Sequence, residues 1–190
     1  MTGVGPIGLR FAIDHRDGVR ALVILNTLLR TRPVPLVFTL AFRNGAFSSF
    51  LVRRLDLFRR IAFRHGWPFR RRVEPRAMAQ YRMPHPTAAS RAGIAAFPKM
   101  IPGHDGQPNG DYISEIDATL QEWNVPVLVM FSDGDIAFKV EDGERIAGMV
   151  PNGRFHLVRN AGHYLQEDAG EELAMRMVTF LRDEAKVAGA

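Results

Sequence analysis

Two short stretches hold residues whose types and placement could do chemistry. The first is Phe131-Ser132-Asp133-Gly134-Asp135, at the end of the apolar run Val125–Phe131. The second is Asn160-Ala161-Gly162-His163-Tyr164, directly after Arg154–Arg159. The chain between them has room for one helix and one strand. If the two runs are neighbouring parallel strands, that spacing sets their carboxyl ends side by side, and a carboxylate meets an imidazole. An acid that accepts from Nδ1–H fixes the tautomer and leaves Nε2 free to take a proton, the arrangement of an oriented general base. Either aspartate could be the acid, and Asp133 could equally cap the turn. A lone His163 could be a helix-capping or surface residue. The acid at the preceding strand end is what favours chemistry.

The elements that must position these residues follow from the apolar pattern. Gly5-Pro6-Ile7-Gly8-Leu9-Arg10-Phe11-Ala12 starts a helix, because proline is tolerated in a first turn. Asp14-His15-Arg16-Asp17-Gly18 ends it. Val19–Asn26 has the continuous apolar character of a strand buried on both faces. A stretch from about Thr31 to about Asn109, rich in Arg, Phe and Pro, reads as helices joined by turns. Asp111–Trp123 is helical in pattern, with Ile113, Ile116 and Leu120 on one face. Val125–Phe131 is a strand, Glu141–Met149 a helix closed by Pro151-Asn152-Gly153, and Arg154–Arg159 a strand. Glu167–Asp183 is an amphipathic helix with Leu173, Met177 and Phe180 on its apolar side. Strands alternating with helices predict a parallel sheet wrapped by helices, with its site at the carboxyl ends of the strands. The expected organisation is a core fragment at 1–30, a helical cap at 31–110 and the C-terminal part of the core at 111–190.

Composition narrows the classes. The chain of 190 residues is 46% hydrophobic and 24% charged, as in a globular domain. It has no cysteine, which excludes disulfides, a thiolate nucleophile and a cysteine metal site. No metal or organic cofactor is expected. No apolar run is long enough to span a bilayer and no secretory leader is seen, so no membrane association and a cytoplasmic location are expected. The net charge of +5 owes much to Arg53, Arg54, Arg59, Arg60, Arg64, Arg70, Arg71, Arg72 and Arg76. Such a cluster could bind nucleic acid. No nucleic-acid motif accompanies it, so the expectation is a solvated helical face opposite Leu51, Leu55, Leu57, Phe58, Ile61 and Phe63, with no nucleic-acid partner.

These motifs together resemble the haloalkane dehalogenases of the α/β-hydrolase fold, over nearly the whole chain. Acid followed by histidine at successive strand ends is the hydrolase order. Gly5-Pro6-Ile7-Gly8-Leu9-Arg10 resembles the helix after the family's nucleophile, whose pattern is Asp-Trp-Gly-Gly-Pro-Ile-Gly-Leu. Ala92-Gly93-Ile94-Ala95-Ala96-Phe97-Pro98-Lys99-Met100, with Tyr81, Pro84 and Pro86 upstream, resembles a cap segment. Ala161-Gly162-His163-Tyr164-Leu165-Gln166-Glu167 resembles the histidine loop. One branch of the family carries its acid near the end of the first strand, where Asn26-Thr27 stands here. The resemblance therefore implies Asp135 as the acid, with Asp133 as the fallback, and His163 as the base. It further implies a partial α/β-hydrolase fold with a helical cap insertion, and a small apolar substrate such as a haloalkane. Trp67 would be a halide donor, though the family position falls by ungapped counting on Phe69. Phe97 and Pro98, with Met100, would line the substrate pocket unless they serve as cap core.

The departures matter as much. The nucleophile position falls on Thr2, the halide-binding tryptophan on Gly3 and the next glycine on Val4. A threonine hydroxyl cannot replace an attacking carboxylate, so a truncated, inactive form is expected. One inserted base in codons for His-Asp-Trp-Gly-Gly-Pro-Ile yields Met-Thr-Gly-Val-Gly-Pro-Ile, and a frameshift is the expected origin of this start. Without preceding strands, the Val19–Asn26 edge would be unpaired and would drive self-association. The alternatives are an epoxide hydrolase, which wants two cap tyrosines where the chain offers Tyr81 and the bordering Tyr112, another α/β-hydrolase such as a Gly-x-Ser-x-Gly serine enzyme, and a non-enzymatic fragment.

Overall fold

The computed structural model describes residues 4–31, 33–43, 45–58, 60, 70, 73–103, 106–107 and 109–188. The chain divides into two compact units. One comprises Met1–Arg30, Phe69–Arg71 and Tyr112–Ala190, and the other Thr31–Pro68 and Arg72–Asp111.

The first unit is built on three parallel strands in the order β1-β2-β3: β1 Leu22–Leu25, β2 Val127–Ser132 and β3 Gly153–Val158. Leu22 pairs with Val127 and Leu25 with Met130; Val127 pairs with Gly153 and Ser132 with Val158. Every residue of β2 is buried, so its alternate side chains must each find a core. Val127, Val129 and Phe131 pack with Ile24 among Leu9 of α1 (Val4–Asp14), Ile116 and Leu120 of α6 (Gly110–Glu122), and Ile146 of α7 (Val140–Met149). On the other face Leu128 and Met130 pack with Leu165 of α8 (Leu165–Asp168) and with Leu173 and Phe180 of α9 (Gly170–Ala188). Full burial of such side chains is worth about 1.5–3 kcal/mol each. Helices on both faces of a parallel sheet are the doubly wound α/β arrangement that the sequence predicts.

Two expectations need correction. The first strand is shorter than Val19–Asn26, and only Ile24 within Leu22–Leu25 is buried. Val19 instead closes a 3₁₀ turn over Arg16–Gly18. Among the described residues β1 has a strand partner on one side only, so its neighbours Leu22, Val23 and Leu25 stay half-exposed. The C-terminal helix is two helices, α8 and α9, parted at Ala169, whose backbone sits at φ −140°, ψ 32°. Leu173, Met177 and Phe180 do form its inward side.

In the second unit, α2 (Leu36–Phe38) runs into a π-helical turn over Thr39–Arg43, followed by α3 (Gly45–Arg53), α4 (Pro75–Arg82) and α5 (Ala92–Met100). Cationic side chains tie helix ends together. Arg91, 8% exposed, donates from Nε to the Arg53 carbonyl at 2.8 Å and from Nη1 to that of His85 at 2.9 Å. Arg43 reaches the Ile101 carbonyl at 2.8 Å. Arg53, Arg54, Arg60 and Arg76 are exposed. Arg53 nonetheless donates to the Ala88 carbonyl at 3.1 Å, so it is a staple as well as a surface charge. Leu55, expected on a covered face, is 47% exposed, while Val52 and Asp56 nearby are buried. Arg59, Ile61, Phe63, Arg64, Arg71 and Arg72 lie outside the described residues.

Candidate active site

The carboxyl ends of β2 and β3 are joined by their own backbones. The Asp133 N–H donates to the Val158 carbonyl at 3.2 Å, and the Gly134 N–H to that of Ala161 at 3.0 Å. This continues the ladder past both strands. It works because residue 134 is glycine: a Cβ there would lie 2.6 Å from the Ala161 oxygen and 2.2 Å from Nε of Arg70. Asn160 makes the bend at φ 56°, a left-handed conformation that asparagine tolerates.

The zipped loops bring Asp135 and His163 together. The His163 Nδ1 to Asp135 Oδ2 distance is 2.8 Å, and the residues are 7% and 4% exposed. The other oxygen, Oδ1, accepts the Ala137 N–H at 2.7 Å, which fixes the carboxylate plane. Asp133 is exposed and does not make this contact. Burial of both partners raises the strength of their interaction, because little water screens it. The imidazole is flanked by the rings of Phe138, 5.6 Å away at 31°, and Tyr164, 5.4 Å away and nearly perpendicular. Burial pushes the Tyr164 phenol above its ordinary pKa.

Behind the histidine lies a network that sequence reasoning did not single out. Asn26, just past β1, donates from Nδ2 to Ser132 Oγ at 2.8 Å and to the Gly162 carbonyl at 3.2 Å, and its Oδ1 accepts the Ser132 N–H at 3.0 Å. Ser132 Oγ also donates to the Gly162 carbonyl, at 2.8 Å. The Gly162 N–H donates to Oδ2 of Asp168 at 2.7 Å. Asn26, Ser132 and Asp168 are 6%, 1% and 2% exposed. Such buried polar groups persist only when bonded. Two strand ends and one helix end are thus tied to one residue, Gly162, which precedes His163. Asn26 drew notice only as an amide where a related branch has an acid. Ser132 and Asp168 gave no local signal, since their partners are distant in the chain.

Most of the other expected site residues are in the second unit or outside the described residues. Phe97 and Pro98 are on α5 in the second unit, Phe97 half-buried and Pro98 buried. Met100 is 50% exposed. Trp67 and Phe69, and Thr2 and Gly3, lie outside the described residues. Tyr112 is 54% exposed, with the Arg10 guanidinium 5.8 Å over its ring, so it faces solvent. Among the described residues no group of three His, Cys, Asp or Glu could hold a metal ion, and no helix is long and apolar enough to cross a membrane.

Comparison with known proteins gives the family of the fold. A family model described as alpha/beta hydrolase fold matches residues 5–170. A cis-3-alkyl-4-alkyloxetan-2-one decarboxylase of Shewanella oneidensis is 29% identical over 189 residues, covering 97% of this chain and 59% of the relative. Haloalkane dehalogenase 1 of Mycobacterium tuberculosis is 32% identical over 182 residues, covering 92% of this chain and 56% of the relative. The chain therefore spans less than two thirds of the length of these relatives. In structure, it is similar to the haloalkane dehalogenase DbeA of Bradyrhizobium elkani, with a TM-score of 0.85 at 18% identity over 96% of this chain and 65% of that one.

Proposed function

The chain belongs to the α/β-hydrolase fold family, and from that premise we propose that Asp135 and His163 are the acid and base of a haloalkane dehalogenase-like hydrolase acting on a small apolar halogenated substrate. The observation that carries this reading is the 2.8 Å contact between two nearly buried side chains at consecutive strand ends. A carboxylate attacks the halogen-bearing carbon, the carbon–halogen bond breaks, and halide leaves an alkyl ester. His163 Nε2 then takes a proton from water as the water oxygen attacks the ester carbonyl, and Asp135 stabilises the imidazolium that forms. The ester opens to alcohol and the regenerated carboxylate. The resemblance to the dehalogenases is what gives Phe97 and Pro98 the role of substrate lining and Trp67 that of halide donor. Thr2 and Gly3 stand where the resemblance puts the attacking aspartate and the neighbouring tryptophan. The proposed chain therefore has the hydrolysing half of the chemistry but cannot start a cycle by itself.

The test is halide release from chlorinated, brominated and iodinated alkanes. The unmodified chain is expected to match a buffer control. A fusion behind the N-terminal part of a dehalogenase, with Thr2→Asp and Gly3→Trp, is expected to turn over. His163→Ala in that fusion should stall it with a mass increase of one alkyl group, because the histidine serves hydrolysis and not alkylation. Turnover by the unmodified chain would refute the role given to position 2. Undiminished turnover after His163→Ala would refute the base.

A second reading is supported by the match to the oxetanone decarboxylase, which runs over 97% of this chain. The same pair would then serve loss of carbon dioxide from a four-membered lactone, leaving an alkene. Headspace carbon dioxide from a dialkyl oxetan-2-one, without halide release from any haloalkane, separates the two.

A further inference from the structure

We propose that Asp168 is a positioning residue for His163, and that it makes the placement of the histidine depend on the chain at Arg70. The inference rests on the reading of His163 as the base, but its geometry stands apart from that reading. Asp168 closes the short helix α8 and is 2% exposed. Its Oδ2 accepts two backbone N–H groups: that of Gly162 at 2.7 Å and that of Arg70 at 2.8 Å. A buried carboxylate is costly to desolvate, and two backbone donors are the kind of compensation that holds one in place.

Both peptide planes that meet at Gly162 are held. The plane before it is held through the Gly162 N–H on Asp168, and the plane after it through the Gly162 carbonyl, which accepts from Asn26 and Ser132. Asn26 and Ser132 fix the second plane to the sheet. Asp168 fixes the first to α8, so the backbone cannot turn about Gly162 without breaking one of these bonds. The next residue is His163, whose Nδ1 must meet Asp135 at 2.8 Å. Rotation about Gly162, which has no side chain to resist it, would swing the imidazole away from its acid.

Arg70 adds the second half. It belongs to the three-residue piece Phe69–Arg71 that clusters with the strand-bearing unit, while the chain before and after it belongs to the helical unit. Its N–H lies on Asp168, and its guanidinium lies across Gly134 of the acid loop, where a Cβ would meet Nε at 2.2 Å. One residue therefore touches both the acid loop and Asp168, which holds the residue before His163.

The test uses the whole chain labelled with ¹⁵N, with histidine ring signals and amide hydrogen exchange read together. Asp168→Leu keeps the size but removes the acceptor. It is expected to speed exchange of the Gly162 amide by roughly tenfold to a hundredfold, as loss of a charge-assisted bond implies, and to abolish the slowly exchanging Nδ1 proton of His163. Asp168→Asn retains an oxygen acceptor and is expected to restore most of both signals. The His156 ring, bonded through Nε2 to Glu172 at 2.7 Å, is the internal control and should not change. Arg70→Pro removes the backbone donor together with the side chain and should speed Gly162 exchange, whereas Arg70→Ala removes the side chain alone, keeps that donor and should not. If Asp168→Leu leaves His163 unchanged while the fold persists, the positioning role is overturned. If it perturbs His156 as much as His163, the role is structural only, which also overturns it. Equal effects of Arg70→Pro and Arg70→Ala overturn the dependence on Arg70. Failure of the restored fusion to release halide would refute the hydrolase reading and leave these exchange results standing.

Discussion

His163 is oriented by its acid and by the peptide before it, and the two aspartates of the acid loop have separate fates. Asp135 is buried against Nδ1, while Asp133 is exposed and contributes its backbone to the loop. In the fusion carrying Thr2→Asp and Gly3→Trp, Asp135→Asn should lower steady-state halide release by about 10⁴-fold, by analogy with the loss of an acid that orients histidine. A burst of one halide per enzyme should survive, because alkylation does not use the pair. Asp133→Asn should leave turnover unchanged, and an equal loss from both would refute the assignment. Tyr164 gives a pH prediction. Burial holds its phenol above the ordinary value of 10.0. Above that value the unfolded chain releases a proton that the folded chain keeps. The contribution of Tyr164 is thus complete below about pH 10 and is lost as pH rises toward the higher folded value. The melting temperature of the native chain should therefore fall more steeply between about pH 9 and about pH 11 than that of Tyr164→Phe. Parallel curves would show that the phenol does not titrate differently on folding.

At the scale of elements, what was legible in sequence is what is local. Val127, Val129 and Phe131 lie in an unbroken apolar run, Ile113, Ile116 and Leu120 recur at helical spacing, and all six are buried. The acid loop was readable because it follows such a run, and the histidine loop because it follows Arg154–Arg159, in which Phe155, Leu157 and Val158 are apolar. The lengths were less readable. Pairing decides where β1 begins, and that depends on Val127–Met130, adjacent in the sheet but distant in the sequence. The division of α8 from α9 was hidden because Glu167 through Gly170 carry no proline, and the Asp168 side chain serves Gly162 across the loop instead. Two glycines near the sheet show the difference between composition and place. Gly153 opens β3, where a Cβ would lie 2.1 Å from the Ala147 carbonyl oxygen; Gly148 sits exposed on α7 with nothing within 4 Å. Gly153→Ala should destabilise by about 1–3 kcal/mol through overpacking against backbone. Gly148→Ala should stabilise by about 0.5–1 kcal/mol, since alanine loses less freedom in a helix. Denaturant melts of the two variants test this, and the same sign for both would contradict the placement of β3 against α7.

At the scale of the whole molecule, the strand-bearing unit offers an edge and an apolar surface that invite association. Leu22 and Asn26 donate their N–H groups to the Pro126 and Met130 carbonyls of the neighbouring chain segment. In a parallel ladder the alternate residues Val23 and Leu25 then point theirs the other way, and no described strand receives them. On α1, Leu9 and Ala12 are buried while Ile7 and Phe11 are 58% and 64% exposed. An unpaired strand edge templates pairing with another chain, and exposed apolar side chains add to the drive. The chain is therefore expected to self-associate at micromolar concentration, seen as a weight-average mass that rises with concentration in sedimentation equilibrium. Ile7→Lys with Phe11→Lys should reduce this, because both positions face solvent and the charges cost the fold little. Leu25→Pro should reduce it too, because it removes an outward N–H and leaves the bonds to β2 intact, and a strand edge is a setting that tolerates proline. Both changes act on the same surface by different means, one on side chains and one on backbone. If only the lysine pair works, association runs through the helix face and not the strand edge. A native chain that stays monomeric and melts cooperatively would show that neither surface drives contact between copies.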